Sequence, residues 1–225
     1  MGEAELQPEK NLLIIHAVII IYGDATSEAL AFQIAGDIEK YWNNAAGKVA
    51  IRDGWFSKKI YDVRFSIIGK YDGELRPQTV LENTNPRNNY FRIEEYASGD
   101  ISFVDEINSN TGYFKLQNIL DNSSTAAHEF GHTLGLVHPY DLDIRGKGTP
   151  GIMYPRGTLV DPHFQYMPEV AAGQKGGTLN PFTRKVLQKD IDDLRLDDLD
   201  YNKNRMAIIG GFSSIWHEKH LPEPD

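Results

Sequence analysis

From Leu12 to Tyr22 the chain reads LLIIHAVIIIY, an apolar run dominated by isoleucine and valine. A continuous run of this kind predicts a strand covered on both faces, because a half-exposed strand would alternate. His16 within it reads as a core histidine with satisfied hydrogen bonds. Residues 23–27 form a turn and a cap. From there Leu30, Ile34, Ile38 and Trp42 recur at helical spacing until Asn43, Asn44 and Gly47 end the pattern, so one long helix packs on the sheet. Residues 49–51, 60–65 and 67–68 supply further strands, with Tyr61, Val63 and Phe65 alternating against polar neighbours. Residues 71–89 are rich in Pro, Asn and Gly and read as a long loop. A short strand at 101–104 follows Gly99 and precedes the turn-rich residues 108–112. Near the other end, Asn180 caps a helix with Pro181 at its first position, and Val186, Leu187, Ile191 and Leu194 continue at helical spacing.

The candidate chemistry lies in HEFGHTLGLVHP, residues 128–139. If this segment is helical, starting at Asn122 or Ser123 and running to about Leu134, His128 and His132 leave the same face one turn apart and can share an ion. Glu129 then points to the side of that pair, placed for a proton and not for a ligand bond. Gly135 can take the left-handed conformation that ends a helix, and the chain can turn so that His138 returns to the same ion. Three neutral nitrogens with an open position describe a catalytic zinc, whereas structural zinc is closed by four ligands and is usually cysteine-rich. The expected chemistry is amide hydrolysis by a zinc-bound water, with Glu129 as the base and no covalent intermediate.

H-E-x-x-H-x-x-G-x-x-H followed by GIMYP at residues 151–155 resembles the metzincin clan of zinc endopeptidases, and IMYP is most similar to the turn of the matrixin branch. The resemblance implies His128, His132 and His138 as zinc ligands, Glu129 as general base, Gly135 as the helix-ending glycine and Met153 as the methionine beneath the metal. It implies an α+β zincin-like domain with a twisted mixed sheet, a long helix, a zinc helix, a methionine turn and a carboxy-terminal helix. Residues 1–138 and 139–225 would be two subdomains of one catalytic domain flanking a cleft. A substrate would pair with the strand at 99–104, carrying Ile101 and Phe103, and Tyr154, Pro155 and Arg156 would wall the neighbouring pocket, closed by His163 and Tyr166. Three features depart from matrixins: Pro139 follows the third histidine, as in serralysins, the link from His138 to Met153 is longer, and no HxD stretch marks a second zinc. Tyr154 directly follows the methionine and so is not placed as a metal-binding tyrosine.

Composition adds limits. The chain has 225 residues, 23 Lys plus Arg against 32 Asp plus Glu, and a net charge of −9, which disfavours nucleic acid and anionic membranes as partners. It contains no cysteine, which excludes a disulfide framework and an internal cysteine latch on the zinc. The acidic start MGEAELQPEK lacks a signal peptide's basic region, and the apolar run is too short to span a bilayer. An exported protein whose signal lies elsewhere is the expectation. Asp141 and Asp143 could bind calcium, but a solvated loop is favoured because a hard cation needs six or more oxygens. Asp198, Asp200, Asn202 and Asn204 resemble the start of a calcium loop that lacks its glycine and final glutamate. His217 and His220 read as a frayed tail. Besides a peptidase acting on peptide or protein substrates and held by a protein inhibitor, two alternatives stand: a protease effector excised from a larger secreted protein, and a non-catalytic zinc-binding interaction protein.

Overall fold

The computed structural model describes residues 1–52, 57–120 and 123–222. The chain is α+β. Its strands are β1 (Gly2–Gln7), β2 (Leu12–Tyr22), β3 (Lys48–Arg52), β4 (Lys58–Tyr71), β5 (Asn88–Glu94), β6 (Phe103–Val104), β7 (Thr111–Lys115) and β8 (Met206–Ile209); its helices are α1 (Glu28–Asn43), α2 (Pro77–Leu81), α3 (Thr125–Thr133) and α4 (Gln188–Asp193). One mixed sheet runs β3-β4-β2-β5-β7-β6. β2 pairs in parallel with β4 and β5, and β5 with β7, whereas β3 and β6 join antiparallel at the two ends. β1 pairs antiparallel with the first half of β2, next to β5 on the second half, and carries β8 on its far side.

Hydrophobic burial explains this order. Leu13, Ile15, Ala17, Ile19 and Ile21 face α1 and α3, and Val18, Ile20 and Tyr22 face the other way onto Val80 of α2, Tyr90 and Trp216. The strand is therefore covered on both faces only in its second half. In the first half Ile14 and His16 are half-buried, and His16 Nε2 lies 2.8 Å from Glu5 of β1, a cross-strand pair that satisfies it. α1 begins where Ser27 Oγ accepts the Leu30 N–H, and it lies so close to β4 that a Cβ on Gly69 would stand 2.1 Å from the Ala31 carbonyl oxygen. Trp42 closes the layer, donating Nε1–H to the Ala127 carbonyl at 3.1 Å and meeting Phe65 and Phe130.

Several expectations need correction. The strands at 60–65 and 67–68 are one strand, β4, and the loop at 71–89 contains α2 and the start of β5. β1, β5 and β7 carry no clear apolar run, and β8 is only the four residues MAII. Asn89, which looks like a turn residue, is fully buried with its amide donating to the Met1 and Arg87 carbonyls. The single carboxy-terminal helix is instead a one-turn 3-10 helix at Pro181–Thr183, an extended stretch, and the short α4. Helix formation is interrupted because Arg184 is extended and the Lys185 N–H donates to the Pro150 carbonyl, tying this stretch to residues 150–151. Nor is the tail frayed. Trp216 stacks on Tyr22 at 4.6 Å, His217 lies 2.8 Å from Asp105, and His220 stacks on Tyr113 at 3.9 Å. Among the described residues no helix is long and apolar enough to cross a membrane.

Candidate metal centre

α3 is short and buried along its whole length. Ser123 Oγ accepts the Thr125 N–H at 3.1 Å and the Ser124 carbonyl accepts the His128 N–H, so the helix starts on two serines; the alternative cap, Asn122, lies outside the described residues. At its other end Gly135 has φ +103°, its N–H donates to the His132 carbonyl and the Leu136 N–H to the Gly131 carbonyl. This is the paired-bond ending of a Schellman motif, which a residue with a Cβ would strain. The reversal brings His138 back over the helix.

The Nε2 atoms of His128 and His132 lie 3.0 and 3.1 Å from His138 Nε2, and the three side chains form a group whose ligand atoms fall within 4.8 Å of one another. Two carbonyls set the chemistry of this group. His128 Nδ1 is 2.7 Å from the Ile152 oxygen and His132 Nδ1 is 2.7 Å from the Leu136 oxygen. A carbonyl can only accept, so His132 Nδ1 carries the proton and its Nε2 presents a lone pair inward; His128 Nδ1 faces both the Ile152 carbonyl, which accepts, and an Arg184 terminal nitrogen at 2.9 Å, which donates. His138 Nε2 has at most one proton to give and two ring nitrogens facing it. Burial, helped by the Arg184 charge, lowers the pKa of all three rings, that of His128 furthest, and so holds them neutral. A donor set of convergent neutral imidazoles fits a divalent metal ion.

Glu129 is buried and lines a cavity of about 240 Å³ together with His128 and His138. Burial raises its carboxyl to about 8, against the opposing pull of Arg184, the Val104 main chain and Arg156. A cation among the histidines would pull that value down. The turn at residues 151–154 serves the helix from below: Ile152 holds His128, and Met153 is packed so tightly that a Cβ on Gly131 would lie 2.4 Å from its Sδ.

Of the residues expected to meet a substrate, Ile101, Pro155 and Arg156 line this cavity with the histidines and Glu129. Phe103 does not; its ring faces Tyr113, His217 and His220. Tyr154 packs on Ile144, Val160 and Leu179 and lines a separate cavity of about 630 Å³ that His138 also borders. His163 and Tyr166 are exposed and line neither cavity. Only Phe103 and Val104 of the stretch 99–104 are strand, and they stand at the sheet's end. Asp141 and Asp143 are paired with Lys147 and Arg145, and Asn202 caps the N–H groups of Asn204 and Met206. Among the described residues the three histidines are the group able to hold a metal.

Sequence reasoning missed Arg184. It is buried, its Nε donates to Ser124 Oγ at 2.9 Å and one terminal nitrogen to the Tyr154 carbonyl at 3.0 Å, beside His128. Burial brings its pKa down to about 10, with Glu129 opposing, so it remains charged at neutral pH. An arginine in an expected amphipathic helix gave no sign of burial. Gly131 was also passed over, although a glycine inside a helix costs about 1 kcal/mol and invites a packing reason.

No protein-family profile matches the chain, and no curated protein matches it. Among solved structures it is similar to two of myroilysin. One is 10% identical over 82% of this chain and 94% of that one, with a TM-score of 0.38; the other is 15% identical over 79% and 59%, with a TM-score of 0.27. Likeness at this level carries no weight for function, which rests on the site itself.

Proposed function

We propose that this protein is a zinc-dependent endopeptidase of metzincin type, with His128, His132 and His138 holding the ion and Glu129 as general base. The observation that supports it is the convergence of three neutral imidazole nitrogens beside a buried carboxyl in one cavity. Three nitrogens with an open side suit zinc by ligand preference. Bound there, zinc supplies Lewis acidity, polarising a carbonyl and making water acidic near neutral pH. Glu129 takes the proton from the attacking water and passes it to the departing amine. β6, at the end of the sheet and against α3, offers main-chain groups to an extended peptide. Residues 1–138, joined by β8 and the tail that return to them, form one lobe and residues 139–205 the other, and GIMYP favours the matrixin-like branch. The natural partners are a peptide or protein substrate and a protein inhibitor, encountered after export.

The test is to incubate a proteome-derived peptide library with zinc-loaded wild type and with zinc-loaded Glu129→Ala, and to map new termini by mass spectrometry. New termini made by wild type alone support the reading. A wild type that binds zinc stoichiometrically and cuts nothing points instead to the interaction protein.

A further inference from the structure

The cavity beside Glu129 has an unbalanced charge. Arg156 and Arg184 both line it. The buried Arg184 guanidinium bonds to a serine hydroxyl and a main-chain carbonyl, and Arg156 bonds to Asn118 Oδ1 at 3.3 Å. Among the described residues neither has a carboxylate within ion-pair distance, whereas Arg87, Arg92, Arg145, Arg195 and Arg205 each have one. The one acidic group lining the cavity is Glu129, itself buried. In a chain whose net charge is −9, two guanidinium groups lining one cavity against the single carboxyl of Glu129 are a local reversal of the overall charge. A metal ion in the neighbouring site adds positive charge. A low-dielectric pocket of this sign strengthens a charged hydrogen bond and penalises an amine. Arginine's planar fork matches a carboxylate in two contacts, and Arg156 is exposed and free to make them.

We infer that the pocket formed by Arg156 and Arg184 selects a carboxylate on the substrate residue next to the bond that is cut, either an Asp or Glu side chain or the free end of a peptide. This rests on the peptidase reading and narrows its substrate class. Because the cavity borders both Glu129 and His138, a group seated in it is close to the reacting carbonyl. Arg184 anchors the pocket from within and Arg156 closes on the ligand from the exposed side.

The experiment uses peptides that differ at one flanking position, carrying Glu, Gln, Leu or Lys, and a Leu series ending in a free carboxylate or an amide. Hydrolysis is measured with zinc-loaded wild type, Arg156→Gln and Arg156→Glu, and binding with zinc-loaded Glu129→Ala. Wild type is expected to favour Glu over Gln at one flanking position by about tenfold in kcat/KM, mainly through KM. Arg156→Gln reduces that ratio to about threefold or less, and Arg156→Glu turns the preference toward Lys. The Leu series separates a side-chain carboxylate from a terminal one. Equal rates with Glu and Gln at every position overturn the inference while leaving a peptidase. If nothing is cut but Glu129→Ala still binds the Glu peptide over the Gln peptide, the peptidase reading fails and the pocket stands; no cutting and no discrimination in binding overturn both.

Discussion

Gly131 offers a direct test of how the turn below α3 supports the histidines. In an exposed helix, Gly→Ala stabilises by about 1 kcal/mol through propensity alone. At Gly131 the new methyl carbon would stand 2.4 Å from Met153 Sδ, 3.2 Å from its Cε and 3.4 Å from Trp42 Cζ2, all in the buried core. Overpacking of this kind costs about 1–3 kcal/mol, and moving Met153 also disturbs the adjacent Ile152 carbonyl on His128 Nδ1, a bond worth about 1 kcal/mol. The balance is a net loss of about 1–3 kcal/mol. Gly36 in α1 is the matched control: it is exposed and has no heavy atom within 4 Å of an added Cβ. Urea unfolding of metal-free protein should therefore show Gly36→Ala more stable than wild type and Gly131→Ala less stable. Zinc titration against a chromogenic chelator should show weaker binding only in Gly131→Ala. A Gly131→Ala protein as stabilised as Gly36→Ala, with unchanged zinc affinity, would refute the claim that Met153 pins the helix.

Other outcomes follow from the same packing. Burial raises Asp190 to about 6, partly offset by the main-chain N–H groups of Leu187 and Ile152. The folded protein keeps that proton between about pH 4 and 6, where the unfolded chain has released it, so this group makes stability fall as pH rises through the window. The span is up to about 3 kcal/mol, levels off above it, and should flatten in Asp190→Asn when unfolding is followed across pH. Trp216→Ala removes the stack on Tyr22 and should cost about 1–2 kcal/mol while making the tail the first site of limited proteolysis; an unchanged cleavage pattern would mean the tail is not held there. Stripping zinc with a chelator should lower the midpoint of thermal unfolding, and re-addition should restore it, because a ligand bound only by the folded state stabilises it.

The long periodic elements were legible because burial imposed their pattern. β2 and α1 carry apolar residues wherever the two layers meet, and residues 128–138 combine helix spacing, a terminating glycine and a returning histidine in one stretch. β1 was not legible because its inward positions are only Ala4 and Leu6 between glutamates that are satisfied by Arg87 and His16. β5 begins on two asparagines with distant partners: the Asn89 amide donates to the Met1 carbonyl, and the Asn88 carbonyl accepts from the Asn110 amide. The carboxy-terminal helix failed for a tertiary reason: Val186, Leu187, Ile191 and Leu194 keep helical spacing, yet Arg184 and Lys185 are committed to residues 150–154 and Ser124. Within the site, the histidines and Glu129 could be read from spacing. The carbonyls of Ile152 and Leu136 could not, since every residue has one and only the fold selects which two hold the rings.

The most direct measurement is the zinc content of purified wild type, Glu129→Ala and His132→Ala after equilibration with excess zinc and removal of the free ion. The account predicts one ion per chain in wild type and in Glu129→Ala, and almost none in a folded His132→Ala, whose retained circular dichroism separates lost metal from lost structure. Stoichiometric zinc in His132→Ala, or none in wild type, would contradict it.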